Sequence, residues 1–213
     1  MNKFLILSFF LLSLYACNSE QKTLPVLGEK KLIEKTIDGK KVIDTINHQI
    51  GSFSFKNQLG NIINEKTVDG KVYVADFFFT SCPTICPAVK GQMKKIYDKF
   101  KNKKDFLMLS YSIDPKRDTI GRLAWYAKKL NVDLAGNWHF LTGKTDDVYS
   151  LAQKDYISHA EENPEEPGGY GHSVYILLVD RKRQIRGVYD GTDPKKVEEL
   201  IRDIPRLLNE KEN

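Results

Sequence analysis

The sequence has few cysteines and histidines, and it has no apolar run long enough to cross a membrane as a mature helix. Its 213 residues include 3 Cys and 4 His. Because disulfide-rich scaffolds need more cysteines, that class of protein is excluded, and any soft-metal site must draw on a small set of ligands. The apolar stretch between Phe4 and Leu14 is too short for a transmembrane helix.

A strong charge imbalance is also lacking. The chain carries 33 basic and 28 acidic residues, a net charge of +5, and the basic residues are spread along it. Since nucleic-acid binding needs a basic patch or stripe, we expect no nucleic acid among the partners. A hydrophobic content of 41% is enough for one globular domain with appendages.

The N-terminal segment MNKFLILSFFLLSLYAC has the features of an export signal. Leu14-Tyr15-Ala16-Cys17 resembles a bacterial lipobox, which is cleaved before a cysteine that is then acylated. This predicts a signal peptide over 1–16, a tether and N-terminal extension over 17–48 and a folded domain over 49–213. The protein is then a lipoprotein of the cell envelope, anchored in the membrane with its domain outside the cytoplasm. The alternative is an uncleaved N-terminal anchor.

The remaining pattern predicts an α/β fold. Asp38-Gly39 between two β-branched runs indicates an N-terminal β-hairpin extension. KVYVADFFF, at 71–79, is typical of a central strand buried on both faces, with Phe77, Phe78 and Phe79 in the core. The segments that follow alternate between strand and helix patterns, which favours βα crossovers. HSVYILLVD, at 172–180, is a second buried strand that forms a hairpin with QIRGVYDG.

Several local expectations accompany this fold. In the helix after Pro87 one face is apolar and the lysines occupy the other. EENPEEPGGYG, at 161–171, is expected to be a loop. Asp114-Pro115 is expected to form a turn and Asp118 to cap the following helix, so that both aspartates are structural. Asp193 is a predicted N-cap of the C-terminal helix.

If Cys17 carries lipid, Cys82 and Cys86 are the remaining thiols. They lie in FFFTSCPTICP, between the central strand and a helix N-terminus that favours thiolates. A disulfide closing so short a loop is a poor structural staple, so redox or metal chemistry is the better interpretation. Two ligands are too few for a selective metal site, and His172, beside a strand end, is the candidate third. The alternative is a loop histidine that only hydrogen-bonds its neighbours, and the remaining histidines are weaker candidates: His48, His139 and His159.

The motifs together resemble the Sco/SenC family. DFFFTSCPTICP is similar to its strand-CxxxCP element, SIDPKRDT to its SxDPxRDT segment, WHFLTG to a WxxLTG-like strand, and Gly171-His172-Ser173 to the loop that supplies its histidine. The resemblance spans roughly residues 50–208. It implies a thioredoxin-like fold and a copper site, for Cu(I) or Cu(II), made of Cys82, Cys86 and His172.

The resemblance implies a metallochaperone that serves the CuA centre of a haem-copper (cytochrome c) oxidase. Its partners are then a copper donor protein and the oxidase subunit that carries CuA. The alternative is a membrane-tethered thiol:disulfide oxidoreductase in which Cys82 attacks and Cys86 resolves, so enzymatic activity stays open. A peroxidase is disfavoured because no arginine pocket is evident beside Cys82. The family often has an aspartate between the cysteines, where this chain has Thr84.

Overall fold

The computed structural model describes residues 23–210, so the predicted signal peptide and Cys17 lie outside the described residues. The described chain starts with the expected hairpin, an antiparallel pair of strands β1 (Lys31–Ile37) and β2 (Lys40–Ile46). Its turn residues Asp38 and Gly39 have positive φ angles of 50° and 74°. Two consecutive positive φ angles fit the tight turn that joins twisted strands, so the predicted hairpin is confirmed.

The next segment builds the parallel part of the molecule. Its elements are β3 (Ser54–Lys56), β4 (Ile62–Asn64), α1 (Glu65–Val68), β5 (Val72–Phe78), α2 (Cys86–Phe100), β6 (Phe106–Ser112), α3 (Ile120–Lys129) and β7 (Trp138–Leu141). β5, β6 and β7 are parallel neighbours, and α2 and α3 form the crossovers between them. The predicted βα alternation is therefore confirmed.

The last segment adds two hairpins and the C-terminal helix. Its elements are α4 (Thr145–Ser150), which continues into a π-helical turn (Leu151–Asp155), then β8 (Ala160–Glu162), β9 (Tyr170–His172), β10 (Tyr175–Val179), β11 (Ile185–Asp190) and α5 (Pro194–Asn209). The Asp193 side chain accepts a hydrogen bond from the Lys195 backbone N–H, as expected of an N-cap.

The main sheet has the strand order β11-β10-β5-β6-β7. β10 runs antiparallel to β5 and β11, so the sheet is mixed. All seven residues of β5 are buried, which confirms it as the central strand, and Phe77, Phe78 and Phe79 are in the core. Since helices flank this mixed sheet, the domain has the predicted thioredoxin-like α/β architecture. Within residues 23–210, no helix combines the length and the apolar character that crossing a membrane requires.

The burial of α2 differs from the prediction at one lysine. The predicted apolar face is buried as expected, at Val89, Met93, Ile96 and Phe100. Lys90, which was expected on the solvent face with the other lysines, has an exposed fraction of 0%. Its ammonium forms an ion pair with Asp76 of β5, at 2.6 Å from Asp76 Oδ2. A buried carboxylate partner keeps this lysine inside, which the amphipathic pattern of α2 alone does not indicate.

Three other local predictions were wrong. The segment 161–171 is not a simple loop, because β8 and β9 at its ends pair to form a short hairpin, and the second buried strand begins at Tyr175 rather than at His172. Thr119, not Asp118, is the N-cap of α3, since its hydroxyl accepts from the Arg122 N–H. The turn at Asp114 is confirmed by hydrogen bonds from the Arg117 and Asp118 backbone N–H groups to its carbonyl.

Candidate metal centre

The two cysteines lie where the central strand β5 gives way to helix α2. Cys86 is the first residue of α2, and Cys82 lies in the turn before it. Both are free thiols, with exposed fractions of 9% for Cys82 and 2% for Cys86. The Cys86 backbone N–H points at the Cys82 sulfur, with an N to Sγ distance of 3.5 Å. An unpaired amide at a helix start thus stabilises negative charge on Cys82, as the sequence predicts.

Asp118 fixes the strand end that carries this turn. It is fully buried, and it accepts hydrogen bonds from the Thr80 backbone N–H at 3.0 Å and from the Ser112 hydroxyl at 2.6 Å. Thr80 follows β5 and Ser112 ends β6, so one carboxylate joins the ends of two neighbouring strands. The aspartate is structural as predicted, but it orders the cysteine turn rather than the start of a helix.

His172 reaches the cysteines from the end of β9. Its Nε2 lies 3.3 Å from the Cys86 Sγ, and its Nδ1 lies 2.9 Å from the backbone carbonyl of Ser173. A carbonyl only accepts hydrogen bonds, so the proton is on Nδ1 and the lone pair of Nε2 faces the sulfurs. This is the tautomer that a metal-binding histidine requires. The ring is also held edge-on against Phe79, with 5.7 Å between the ring centroids.

The structure therefore brings together the three side chains singled out in the sequence. The Sγ atoms of Cys82 and Cys86 and a ring nitrogen of His172 all lie within 4.8 Å of one another. Among the described residues, this is the group of histidines, cysteines and carboxylates close enough to share one metal ion. Two thiols and an imidazole with a free lone pair fit a soft transition metal better than they fit Mg²⁺ or Ca²⁺.

The other histidines lie in unrelated surroundings. The Nε2 of His48 is 2.6 Å from the carbonyl of Asp155. His139 is on β7, beside Asn57, and burial lowers its pKa to about 4. His159 is on the same hairpin as His172, but its ring faces the carboxylate of Glu161.

The two thiols have opposite proton affinities. The hydrogen bond from Cys86 holds the pKa of Cys82 down to about 3. The hydrogen bond with Cys82 and burial raise the pKa of Cys86 far above its usual range. At neutral pH the pair therefore carries one negative charge, on the sulfur of the more exposed cysteine. That sulfur is both a ready metal ligand and the natural nucleophile.

The hairpin that carries His172 packs against the cysteine turn through Gly168. This residue has a φ of +87°, and a Cβ there would meet the Phe79 ring at 2.8 Å and Pro83 at 3.3 Å. Gly169 has nearly the same φ, +88°, and nothing lies within 4 Å of its Cβ position. A side chain at either glycine would strain the backbone, but only a side chain at Gly168 would also clash with neighbouring atoms.

We expect Gly168→Ala to weaken metal binding far more than Gly169→Ala. Both variants lose roughly 1–2 kcal/mol of stability because an L-residue is strained in the left-handed region. The added methyl group of Gly168→Ala also pushes the hairpin away from Phe79 and so moves His172. Copper titration and thermal unfolding of both variants test this. Equal copper affinities in the two variants would show that the contact does not position the histidine.

Two parts of the site were missed in the sequence. One is the role of Asp118 described above, and the other is the buried ion pair of Asp76 and Lys90 behind Cys86. A signal for the pair was present, because an aspartate interrupts the apolar run VYVADFFF and Lys90 follows Cys86 by one helical turn. A charged residue within a strand buried on both faces needs a partner, and α2 packs on that strand.

Comparison with known proteins agrees with this geometry. The family model described as SCO1/SenC matches residues 43–209. A SCO1/SenC family lipoprotein from Bacillus anthracis str. Ames has 32% identity and a TM-score of 0.69, over 77% of this chain and 97% of that one. BsSco has 28% identity and a TM-score of 0.68, over 79% of this chain and 98% of that one. It is described as a member of the Sco family of cytochrome c oxidase assembly proteins with a disulfide switch.

A copper-bound structure is similar in fold. ScoI from Arabidopsis thaliana, with copper bound, has 24% identity and a TM-score of 0.61, over 73% of this chain and 98% of that one. The family model covers most of the chain, including the cysteine turn, the DPKRDT segment and His172. The chain therefore belongs to the SCO1/SenC family.

Proposed function

We propose that this protein binds one copper ion through Cys82, Cys86 and His172 and delivers it to the CuA centre of a cytochrome c oxidase. The observation that carries the proposal is the convergence of two sulfurs and one imidazole nitrogen within 4.8 Å. Membership in a family with copper-bound members supports the choice of metal, and the description of BsSco as an oxidase assembly protein supports the acceptor.

The chemistry of the three ligands suits a carrier of copper. Thiolates select Cu(I), and a neutral imidazole also suits Cu(II), so the set holds the ion in either oxidation state. Three protein ligands leave a position open to a ligand of the acceptor, in contrast to a closed structural site. Cys82 and His172 are less buried than Cys86, so copper can be released by ligand exchange at this side of the site.

Direct transfer tests the proposal. The Cu(I)-loaded protein is mixed under anaerobic conditions with the metal-free, reduced soluble domain of the oxidase subunit that carries CuA, and the two are then separated. We expect the copper to be found on the acceptor domain and lost from the carrier. Retention of copper by the carrier, under conditions in which free Cu(I) loads the acceptor, would contradict a delivery role.

A second candidate function is supported by the ionisation of the thiols. A Cys82 thiolate with a pKa of about 3 beside a protonated, buried Cys86 matches an attacking and a resolving cysteine. The same acceptor distinguishes the two functions when it is supplied with its copper-binding cysteines oxidised to a disulfide. Fast reduction of that disulfide by the metal-free protein, without copper transfer, would favour the thiol:disulfide oxidoreductase.

We further propose that the domain is held at the cell envelope by lipid on Cys17 after cleavage of residues 1–16. The lipobox-like LYAC sequence and the lipoprotein from Bacillus anthracis support this. Cys17→Ser is expected to move the protein from the membrane fraction to the soluble fraction after a salt wash. A variant that stays in the membrane would point to the uncleaved N-terminal anchor instead.

A further inference from the structure

A closed network of buried polar groups lies behind the dithiol. The Lys90 ammonium is 2.6 Å from Asp76 Oδ2 and 2.7 Å from the Ser110 hydroxyl oxygen. The Ser110 hydroxyl donates to Asp76 Oδ1 at 2.5 Å and accepts from the Trp138 indole N–H at 2.9 Å. Asp76 and Ser110 are opposite one another on the parallel strands β5 and β6. All four side chains are therefore fixed by the central sheet and by α2.

Stability alone does not account for this ion pair. Exposed fractions are 0% for Lys90 and 2% for Asp76, so both charges have lost their hydration. Apolar residues of similar size commonly give equal or greater stability in such a position, because desolvation offsets the attraction between the charges. Burial lowers the pKa of Lys90, whereas the Asp76 carboxylate and the Phe78 ring, whose centroid lies 4.0 Å from the ammonium, favour its charged form. The central sheet and α2 therefore hold a buried positive charge at this position.

Lys90 lies directly behind Cys86. Lys90 follows Cys86 by one turn of α2, so the two side chains extend from the same side of the helix. A narrow internal gap, too small for a water molecule, is lined by Cys86, Lys90, Asp76 and His172. The gap holds no water to screen the charge, so Lys90 and Cys86 interact through a medium of low dielectric constant. In agreement, the Lys90 charge lowers the pKa of Cys86, against the stronger effects of its hydrogen bond with Cys82 and of burial.

We propose that Lys90 is a positioning residue of the dithiol, whose charge stabilises the one negative charge that the hydrogen-bonded pair of Cys82 and Cys86 carries and so favours the reduced pair over the disulfide. Asp76, with Ser110, holds the ammonium in place. This role rests on the proposed function, because a copper carrier needs its two sulfurs reduced before it can take up the ion.

The test is the redox equilibrium of the metal-free, full-length protein with glutathione at fixed pH. The protein dithiol reacts with oxidised glutathione to give the protein disulfide and two molecules of reduced glutathione. One S–S bond breaks and one forms, and two electrons pass to glutathione together with the Cys86 proton and one proton from the solvent. The double variant Asp76→Leu/Lys90→Met removes both charges and leaves no buried ion unpaired. We expect it to shift this equilibrium toward the protein disulfide by about tenfold, equivalent to about 30 mV.

A matched control is provided by the buried ion pair of Asp180 and Arg186. The Arg186 Nη1 is 2.9 Å from Asp180 Oδ2, and both residues are less than 10% exposed. Asp180 follows β10, whereas Ser173, next to His172, precedes it, so this pair lies at the opposite end of the strand. Asp180→Leu/Arg186→Met therefore perturbs a buried pair without touching the dithiol, and its equilibrium should stay within about twofold of the parent protein.

Asp76→Asn changes the shape of the site less and decides the matter if the double variant does not fold. It removes the carboxylate that favours the charged form of the buried Lys90, so the lysine loses its proton and the equilibrium should again shift toward the protein disulfide. The role of Lys90 is refuted by a shift of less than twofold in the double variant, by a shift toward the dithiol in Asp76→Asn, or by an equal shift in the Asp180/Arg186 control. Because no metal takes part, such a failure leaves copper carriage standing, and a failed copper transfer leaves this result unaffected.

Discussion

His172→Ala lowers the affinity for Cu(II) by at least about 100-fold and leaves oxidation of Cys82 and Cys86 to a disulfide nearly unchanged. Changes that only disturb the partner of a metal ligand already cost 10–100-fold in affinity, so loss of the ligand itself costs at least that much. The imidazole takes no part in forming the S–S bond, which explains the separation of the two effects. Competition titration with a Cu(II) chelator and thiol counting after oxidation measure them.

His159→Ala is the matched control for this result. His159 is on the same hairpin as His172, but its ring faces Glu161 and not the sulfurs. We expect its copper affinity to equal that of the unchanged protein. Tight, stoichiometric Cu(II) retention by His172→Ala would remove the histidine from the ligand set and leave a dithiol carrier.

The second large effect is expected from serine at either cysteine. Cys82→Ser and Cys86→Ser each lose tight copper binding and cannot form the internal disulfide, because both processes need two sulfurs. The variants are expected to differ in reactivity toward an alkylating reagent. Cys86→Ser keeps the more exposed Cys82 sulfur and reacts, whereas Cys82→Ser keeps Cys86, whose burial limits access of the reagent and raises the thiol pKa, and reacts slowly.

Thr84→Ala tests whether the loss of copper binding and of disulfide formation is specific to removal of a sulfur. The Thr84 hydroxyl lies between the cysteines in sequence, 4.0 Å from the Cys82 sulfur, which is a weak contact. It occupies the position where the family often has an aspartate. We expect Thr84→Ala to bind copper and form the disulfide as the parent does. Tight copper binding by either cysteine variant would contradict a site that uses both sulfurs.

The sequence was sufficient for the parts of the fold that depend on local pattern. β5 could be assigned as the central strand because its run of apolar residues is interrupted only by Asp76, and α2 because its apolar residues recur with helical spacing. The N-terminal hairpin was marked by Asp38-Gly39, whose turn geometry is rare elsewhere. In each of these elements, the residues that decide the structure are neighbours along the chain.

The parts that were missed depend on contacts between distant residues. Asp118 could be read as a helix cap from its position, but its partners Thr80 and Ser112 are on two strand ends. Lys90 fits the polar face of a helix in the sequence pattern, and only the fold shows that Asp76 of β5 pairs with it in the interior. The strands β8 and β9 are only three residues each, so their pairing is too short to leave a periodic pattern in the sequence.

The position of His172 also depends on contacts between residues that are distant in the sequence. Spacing alone left it as one of two alternatives, a ligand or a loop residue bonded to its neighbours, and the resemblance to the Sco/SenC family favoured the ligand. The structure places its Nε2 3.3 Å from the Cys86 sulfur because the β8–β9 hairpin folds over the cysteine turn. That approach depends on Gly168, where a side chain would strike Phe79.

X-ray absorption at the copper edge identifies the atoms that bind the metal. The reduced protein is loaded anaerobically with one equivalent of Cu(I) and compared with a similarly treated Cys82→Ser/Cys86→Ser double variant. We expect one tightly held copper per chain with two sulfur neighbours and one imidazole nitrogen, and no tightly held copper in the double variant. Copper surrounded by nitrogen and oxygen alone, or retained by the double variant, would contradict this ligand set.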